Sequence, residues 1–587
     1  MRCVRVGVAL QSWHIPAWQH LALEKVTQCD HAQLASVILI EGGRSHAGIG
    51  AALLRRAFEW QEARRKVSRR GPCEMLDATA LLSHVPVHRL SPKAKAGAAP
   101  RQTLEEIRGE ALDVIVLLSD ADCIDGLSAV ARYGVWYYQH DAAGAGDAAG
   151  TSAGLWEVLT RQPCVKSMLR ATLANEPCEI TLQVSYSAID HCCFTRTRCG
   201  HLWKSASFLV RGLRELAEHG DEALSGARRA VQDGTWVEPA PGGWGSRRTR
   251  LRRTAPTRRG LVRRPVGSLA WTMGVLRYLL WRLYMKMAMR IYRERWILLF
   301  DFGGQANSLS DFQKLIPPPD RFWADPHVVQ RDGRYYVFIE EAPLATRRGH
   351  ISVLRHNEDG SFGAPVPVIQ RPYHLSYPFI FEWRGELFLM PESSEHRTIE
   401  VYRCKRFPEE WELECVLMEN VAAVDSTLVQ HQGRWWLFTS IKENDGAAWD
   451  ELFVFHAESP LTRHWQPHAR NPVVSDVRCA RLAGALYHEG PALYRPSQDG
   501  SYRYGYGVRL NRVEELTPQT YREVMVQQFA PGWDRSIRAV HSFSRNGHLT
   551  MIDGMYRHRR ERATHARTSR RVGVGRLPLA KNTSKLS

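Results

Sequence analysis

One pattern between residues 310 and 556 constrains the fold more than any other. A small or polar start, an apolar strand, a tight turn and an aromatic strand recur five times. The copies are DPHVVQRDGRYYVFIE from Asp325, YPFIFEWRGELFLMPE from Tyr377, DSTLVQHQGRWWLFTS from Asp425, AGALYHEGPALYRPS from Ala483 and HSFSRNGHLTMIDG from His541. Their starts lie 52, 48, 58 and 58 residues apart, the period of a four-stranded propeller blade. Glu340, Glu392 and Ser440 each fall fifteen residues after their copy begins, so the register is kept. RDGR, WRGE, HQGR and RNGH place a glycine where a tight hairpin needs positive φ. A five-bladed, all-β propeller over 310–556 is expected.

The chain has 587 residues, too many for one domain. Upstream of the repeat, over 1–235, short β-branched runs at 4–10, 35–40 and 112–119 alternate with helical patterns at 51–65 and 202–219. Continuous apolar runs of that length are buried parallel strands, so an α/β domain with a mostly parallel sheet is expected. Twelve cysteines without regular spacing fit free thiols in a reducing compartment. The start, MRCVRVGVALQSW, has too short an apolar run for a signal peptide and reads as a first strand. A cytoplasmic location follows.

The net charge of +18 is confined to two segments. Residues 247–264 hold nine Arg and no acid, and 557–587 hold ten Lys/Arg against one Glu. The remaining chain is neutral overall, which argues against a nucleic-acid-binding face. The tail from 557 is poor in apolar residues and reads as disordered. Between the domains, 236–309 reads as a basic linker followed by an amphipathic helix. Cations at 277, 282, 286, 290 and 293 form one stripe on that helix. Its longest uncharged run, 265–276, has twelve residues, short of the roughly 18 that a spanning helix needs. Contact with an anionic membrane surface through 247–296 is one reading, at the inner membrane face. Packing on a neighbouring domain with snorkelling cations is the other.

In the first domain LDVIVLLSD, GVWYYQHD, GLWEVL and EITLQVSYSAIDHCCF resemble the N-terminal domain of formyltransferases acting on methionyl-tRNA, glycinamide ribonucleotide or sugar amines. The resemblance covers about the first 220 residues and implies a Rossmann-like fold with 10-formyltetrahydrofolate as donor. It places His140 on the family's catalytic histidine and Asp190 on its aspartate, while Tyr138 stands where the family has asparagine. The run His191, Cys192, Cys193, Cys199, His201 matches no zinc spacing, and no metal is expected.

In a propeller the innermost strand of each blade runs nearest the axis, so residues at the copy starts converge in one funnel. Asp325 and Asp425 would face it, with Trp323, Tyr377 and His541 beside them. FWADPHV, LSYPFIF…LMPES, VDSTL…GRWWLF and ALYRPSQDGSYRYGYGVRL resemble the five-bladed propellers of glycosidases acting on arabinans, xylans and fructans. Over about 310–525 they are more similar to the N-terminal propeller of plant glucosamine inositolphosphorylceramide transferases and of bacterial proteins fused to formyltransferase-like domains. The glycosidase resemblance implies Asp325 as base or nucleophile and Asp425 as a carboxylate that tunes a neighbour. It also implies a general acid opening blade four, where this chain has Arg481-Leu482-Ala483-Gly484, leaving Glu392 and Glu489 as the nearest acids. A phosphate leaving group departs without a proton, and Arg481 or Arg495 would neutralise it. A transferase of surface-glycan or glycolipid assembly is therefore expected, using a nucleotide- or lipid-linked sugar. The alternatives are a membrane-associated glycan-binding scaffold, a glycoside hydrolase, and a folate-dependent formyltransferase on a sugar amine.

Overall fold

Continuous apolar runs become strands covered on both faces. In the computed structural model, which describes residues 2–41, 62, 70–90, 101–119, 124–140, 153–174, 179–224, 268–303 and 309–560, seven strands form the first domain's sheet, and the apolar runs at 4–10, 32–40 and 114–117 are buried almost throughout. They are β1 (Val4–Leu10), β2 (Ala32–Ile40), β3 (Val87–Leu90), β4 (Val114–Leu117), β5 (Val135–Gln139), β6 (Cys164–Thr172) and β7 (Ile180–Ala188). The order is β3-β2-β1-β4-β5-β6-β7. The first five are parallel, while β6 and β7 are antiparallel additions. The sheet is therefore mixed, with a mostly parallel half as the sequence implied. Helix Phe208–His219 buries Leu209, Leu213 and Leu216 against one face with Leu23 and Val26 of helix Ala17–Thr27. Ile107, Leu127 and Val130 cover the other. The helical pattern at 202–219 divides at Ala206 into Phe194–Ser205 and Phe208–His219. The pattern at 51–65 lies outside the described residues, save for 62, as does the tail from 561.

The five copies build five blades. Four sheets have four strands in sequence order, starting at Arg321, Ser376, Ala423 and Tyr487. Their hairpins carry positive φ at both turn residues in three cases, Asp332-Gly333, Arg384-Gly385 and Gln432-Gly433, the twist that tight antiparallel pairs need. The fifth blade is composite. Phe543–Asn546 and Leu549–Arg559 come from the last copy, and Tyr292–Asp301 and Gln313–Leu315 from ahead of the first. Tyr292–Asp301 pairs residue for residue with Arg559 back to Thr550, closing the ring between chain-distant strands. The ring thus takes residues from 292 onward, ahead of the boundary at 310 expected from the repeat.

Helix Ser268–Ile291 leads directly into that closing strand. Its Tyr278 packs on Leu155, Val158 and Leu159 of the first domain. Further along, the domains are joined by a strand edge and by buried charge. Tyr186 of β7 donates its N–H to Ser475 O at 3.0 Å and accepts from Val477 N at 3.0 Å. Lys204 Nζ lies 2.8 Å from Asp450 Oδ2, and Arg211 lies 2.7 Å from Glu451 and 2.8 Å from Glu443.

Candidate functional site

A repeated backbone irregularity positions the funnel residues. Pairing in the first three blades skips between Ala324 and His327, Ser376 and Phe379, and Val424 and Thr427. Two residues of the inner strand therefore oppose one of its partner, a β-bulge. The first bulged residue has φ of 50° at Asp325, 45° at Tyr377 and 51° at Asp425. Side chains other than glycine seldom adopt that region, so the fold holds these three in strained backbone at equivalent positions. The partners just before each bulge are Glu340, Glu392 and Ser440, the three residues in register fifteen positions on.

Two linked polar clusters result. In the first, Arg481 Nη2 donates to Asp425 Oδ1 at 3.0 Å, its Nε donates to Oδ2, and Glu392 lies 3.5 Å away. Gln498 Nε2 donates to Asp425 Oδ2 at 3.0 Å and to Leu482 O at 2.8 Å. In the second, His541 stands between two carboxylates, 2.6 Å from Asp553 and 3.6 Å from Asp325. Asp553 also accepts the N–H groups of Asp325, His541 and Ser542 at 3.0–3.1 Å. Trp296 of the closing strand stacks on the His541 ring at 4.0 Å and 7°. Tyr504 lies over Arg481 at 5.3 Å and presents its edge to His541 at 5.5 Å.

Burial sets the protonation of these groups. It pushes the Asp325 carboxyl up to about 6, against the pull of His541. It pushes Asp425 up to about 6 as well, against Arg481. Glu340 is raised well above the usual carboxylate range by burial and then by Asp325 and Glu392. Burial works the same way on Asp553, but His541 and the backbone donors outweigh it and hold that carboxyl below its usual value. His541 is raised in turn because Asp553 and Asp325 overcome burial. The clusters thus favour the protonated form of His541, between a carboxylate held low and a carboxyl raised to about 6.

These shifts have a definite sign. A carboxyl whose folded pKa exceeds its unfolded one binds more protons when folded, so its contribution falls as pH rises between the two. For Asp325 and Asp425 that window runs from about 4 to about 6. The thermal midpoint of Asp325→Asn is therefore expected to fall less between pH 4.5 and 6.5 than that of the wild type. Equal slopes in both proteins would show that Asp325 does not titrate there.

The structure also moves several expected residues. Trp323 does not face the funnel: its Nε1 donates to Glu341 at 3.3 Å, and its ring packs with Leu298, Phe300 and Val328. The bulge breaks the strand's alternation, so Trp323 and Asp325 no longer share a face. Arg495 is also elsewhere, fully buried and bonded to Glu523 at 2.8 Å and to the carbonyls of Cys479 and Ala480. Tyr377 is buried at its bulge, with its hydroxyl 2.9 Å from Thr427. Its backbone N–H donates to Asp325 Oδ2 at 3.3 Å. Glu489 is exposed at its hairpin, so blade four supplies no acid to this cluster. Sequence reasoning missed Asp553, Trp296 and Tyr504. The signal for Asp553 was an acid inside the apolar run LTMID, off the fifteen-residue register because the last hairpin is short. Asp325, His541 and Asp553 offer ligand atoms within 4.8 Å of one another, a metal-like spacing that the charged relay itself accounts for.

In the first domain, His140 and Asp190 share no contact partner among the described residues. His140 is buried edge-on to Trp18 at 5.0 Å, its Nδ1 3.4 Å from Ser167 Oγ, and burial holds it well below its usual pKa. Asp190 is turned to Arg196 at 2.6 Å and to the Cys192 N–H at 2.8 Å. Tyr138 is stacked between His140 and Phe208. No step is assigned to 10-formyltetrahydrofolate.

Comparison with known proteins places the propeller. Residues 311–552 match the family described as glucosamine inositolphosphorylceramide transferase 1, N-terminal. The matched stretch contains every funnel residue above except Trp296 and Asp553. Glucosamine inositolphosphorylceramide transferase 1 of Oryza sativa subsp. japonica is 36% identical over 212 residues, 35% of this chain and 28% of that protein. The Arabidopsis thaliana protein of the same name is 35% identical over the same length, with the same shares. The chain therefore spans about 28% of the length of these relatives. Among solved structures, the catalytic domain of an alpha-L-arabinofuranosidase from Coprinopsis cinerea aligns with 13% identity and a TM-score of 0.32. That alignment covers 44% of this chain and 97% of that one; likeness at this level is too weak to argue from. The formyltransferase resemblance rests on its motifs alone.

Proposed function

We propose that the chain is a transferase of glycolipid assembly whose propeller funnel binds the sugar that reacts. The observation that carries this reading is the Asp553–His541–Asp325 relay beside Arg481, held by strained bulges inside the region matched to the transferase family. Asp325, with its pKa near 6, is the base: it takes the proton of an acceptor hydroxyl as the oxygen attacks the anomeric carbon. The bond from that carbon to a phosphate oxygen breaks, and Arg481 meets the departing phosphate. The relatives' name points to an inositolphosphoryl lipid as the acceptor class; a nucleotide-linked sugar as donor is our own reading, from the phosphate that Arg481 would meet.

Such an acceptor lies in a bilayer, and helix Ser268–Ile291 offers a surface to meet one. Leu269, Met273, Leu276, Leu280, Leu283 and Met287 are exposed at steps of four and three, one continuous apolar stripe. The helix has four cations and no acid, so pairing with a second copy would oppose like charges, whereas anionic lipid would neutralise them. No helix among the described residues is long and apolar enough to cross a membrane. A second reading, recognition of a glycan without chemistry, is favoured by the depth of the funnel, since Asp425, Asp553 and His541 are buried.

The test is label transfer from a uridine diphosphate sugar to an inositolphosphoryl lipid in phosphatidylcholine vesicles with 30 mol% phosphatidylglycerol. Asp325→Asn is expected to cut the rate about 100-fold or more, and serines at Leu276, Leu280 and Leu283 to release the protein from the vesicles. Stabilisation by the sugar without transfer would replace the transferase with the binding reading. Neither stabilisation nor transfer would end both.

A further inference from the structure

The first domain, the long helix and the propeller close around a cavity of about 1010 Å³. Asp190, His191 and Arg196 come from the first domain, Trp281 and Tyr284 from the helix, and Trp449 and Tyr504 are among the propeller's share. Tyr504 is 39% exposed, and the same ring covers Arg481 and His541. The mouth of the funnel is therefore part of the cavity wall.

Six cations line the cavity against four acids. Three of the acids are answered within the protein: Asp190 by Arg196 at 2.6 Å, Glu294 by Arg503 at 2.9 Å, and Asp450 by Lys204 at 2.8 Å. Asp445 is the one acid left. Arg161, Lys442 and Arg538 line the cavity without an ion pair to any described residue, and Arg161 lies over Trp281 at 3.8 Å. Aromatic rings form much of the remaining wall, with Trp449 5.6 Å from Tyr504 and Tyr502 5.1 Å from Tyr506. Both ring nitrogens of His191 and the indole Nε1 of Trp281 have no hydrogen-bond partner among the described residues. Unpartnered groups of that kind in a native fold call for an explanation, and a ligand is one.

We propose that this cavity is a binding site for a phosphodiester joined to a sugar or polyol. The cations fit the phosphate, with charge-assisted bonds stronger than neutral ones. The rings fit the apolar faces of a sugar, and His191 and Trp281 have bonds to give its hydroxyls. A neutral glycan would leave the cations unanswered, and a bare phosphate would leave the aromatic wall unused. The proposal rests on the transferase reading for one point only, that the sugar end of the ligand lies toward Tyr504 and the funnel. A lipid head group and a nucleotide-linked sugar share this chemistry. The helix that supplies Trp281 and Tyr284 also carries the exposed leucine stripe, so a lipid head could enter while its chains stay outside.

The experiment is calorimetric titration of the full chain with glycerophosphoinositol and, separately, with uridine diphosphate glucose. The variant is Lys442→Ala with Arg538→Ala; both side chains are exposed, so the fold has no need of them. At least one probe is expected to bind the wild type, and the double variant to weaken it at least about tenfold. Tighter binding of glycerophosphoinositol assigns the site to a lipid head, and tighter binding of the nucleotide sugar assigns it to the donor. Failure of both probes at millimolar concentration, or equal binding by the variant, would overturn the site. Transfer by the wild type separates the two proposals: a wild-type chain that binds in the cavity but transfers nothing loses the transferase reading and keeps this one.

Discussion

Replacing Arg481 with methionine is expected to destabilise the propeller by about 3–5 kcal/mol at pH 7.5, the cost of leaving a buried charge unpaired. The guanidinium bonds both oxygens of Asp425 and stands 3.5 Å from Glu392, and all three side chains are at least nine-tenths or very nearly so buried. Methionine keeps much of the volume and removes the charge, so loss of packing contributes little. Asp425 would retain only Gln498 as a donor. Urea unfolding followed by fluorescence gives the size of the effect, and two further results test its cause. At pH 5 the loss should shrink, because Asp425 with a pKa near 6 takes up a proton there. Arg481→Met combined with Asp425→Asn should recover a large part of it, since the orphaned charge is then gone. A loss below about 1 kcal/mol would show that Arg481 does not neutralise the funnel.

The blade count was legible because each copy carries its own hairpin turn, and a glycine with positive φ is a local requirement. The three bulges were not. Asp325-Pro326, Tyr377-Pro378 and Asp425-Ser426 have no residue common to all three, yet the same distortion occurs at each. The closing strand was hidden for a different reason: YRERWILLFD follows the helix without a break, and only its pairing partner, 249 to 267 residues on, makes it a strand. Arg481 and Arg495 show where residue type stops being informative. Both are buried arginines of blade four, but one turns to the axis and the other to Glu523 on the blade's outermost strand. The burial of His140 among Trp18, Tyr138 and His201 is likewise a property of packing that no local pattern encodes.

The joint between the domains should be nearly as sensitive as the funnel. Lys204→Ala is expected to cost about 3–5 kcal/mol of docking, because Asp450, itself buried, loses its cation. Burial raises the Asp450 carboxyl, and Lys204 is the principal group opposing that rise. Nearby, Arg211 outweighs burial and holds Glu451 below the usual carboxylate range. The two pairs lie beside the strand edge where Tyr186 meets Ser475 and Val477, so loss of the charges should loosen the backbone pairing too. Thermal unfolding, expected as one transition in the wild type, should split into two in Lys204→Ala as each domain melts alone. One unchanged transition would mean that the strand edge holds the domains without the charges. Lys204→Met with Asp450→Leu then separates penalty from attraction. An apolar pair of similar volume is commonly neutral where a single deletion is costly, so the double variant should keep the domains docked. Since the cavity wall is drawn from both sides of this joint, a phosphodiester that binds there should also raise the temperature at which Lys204→Ala comes apart.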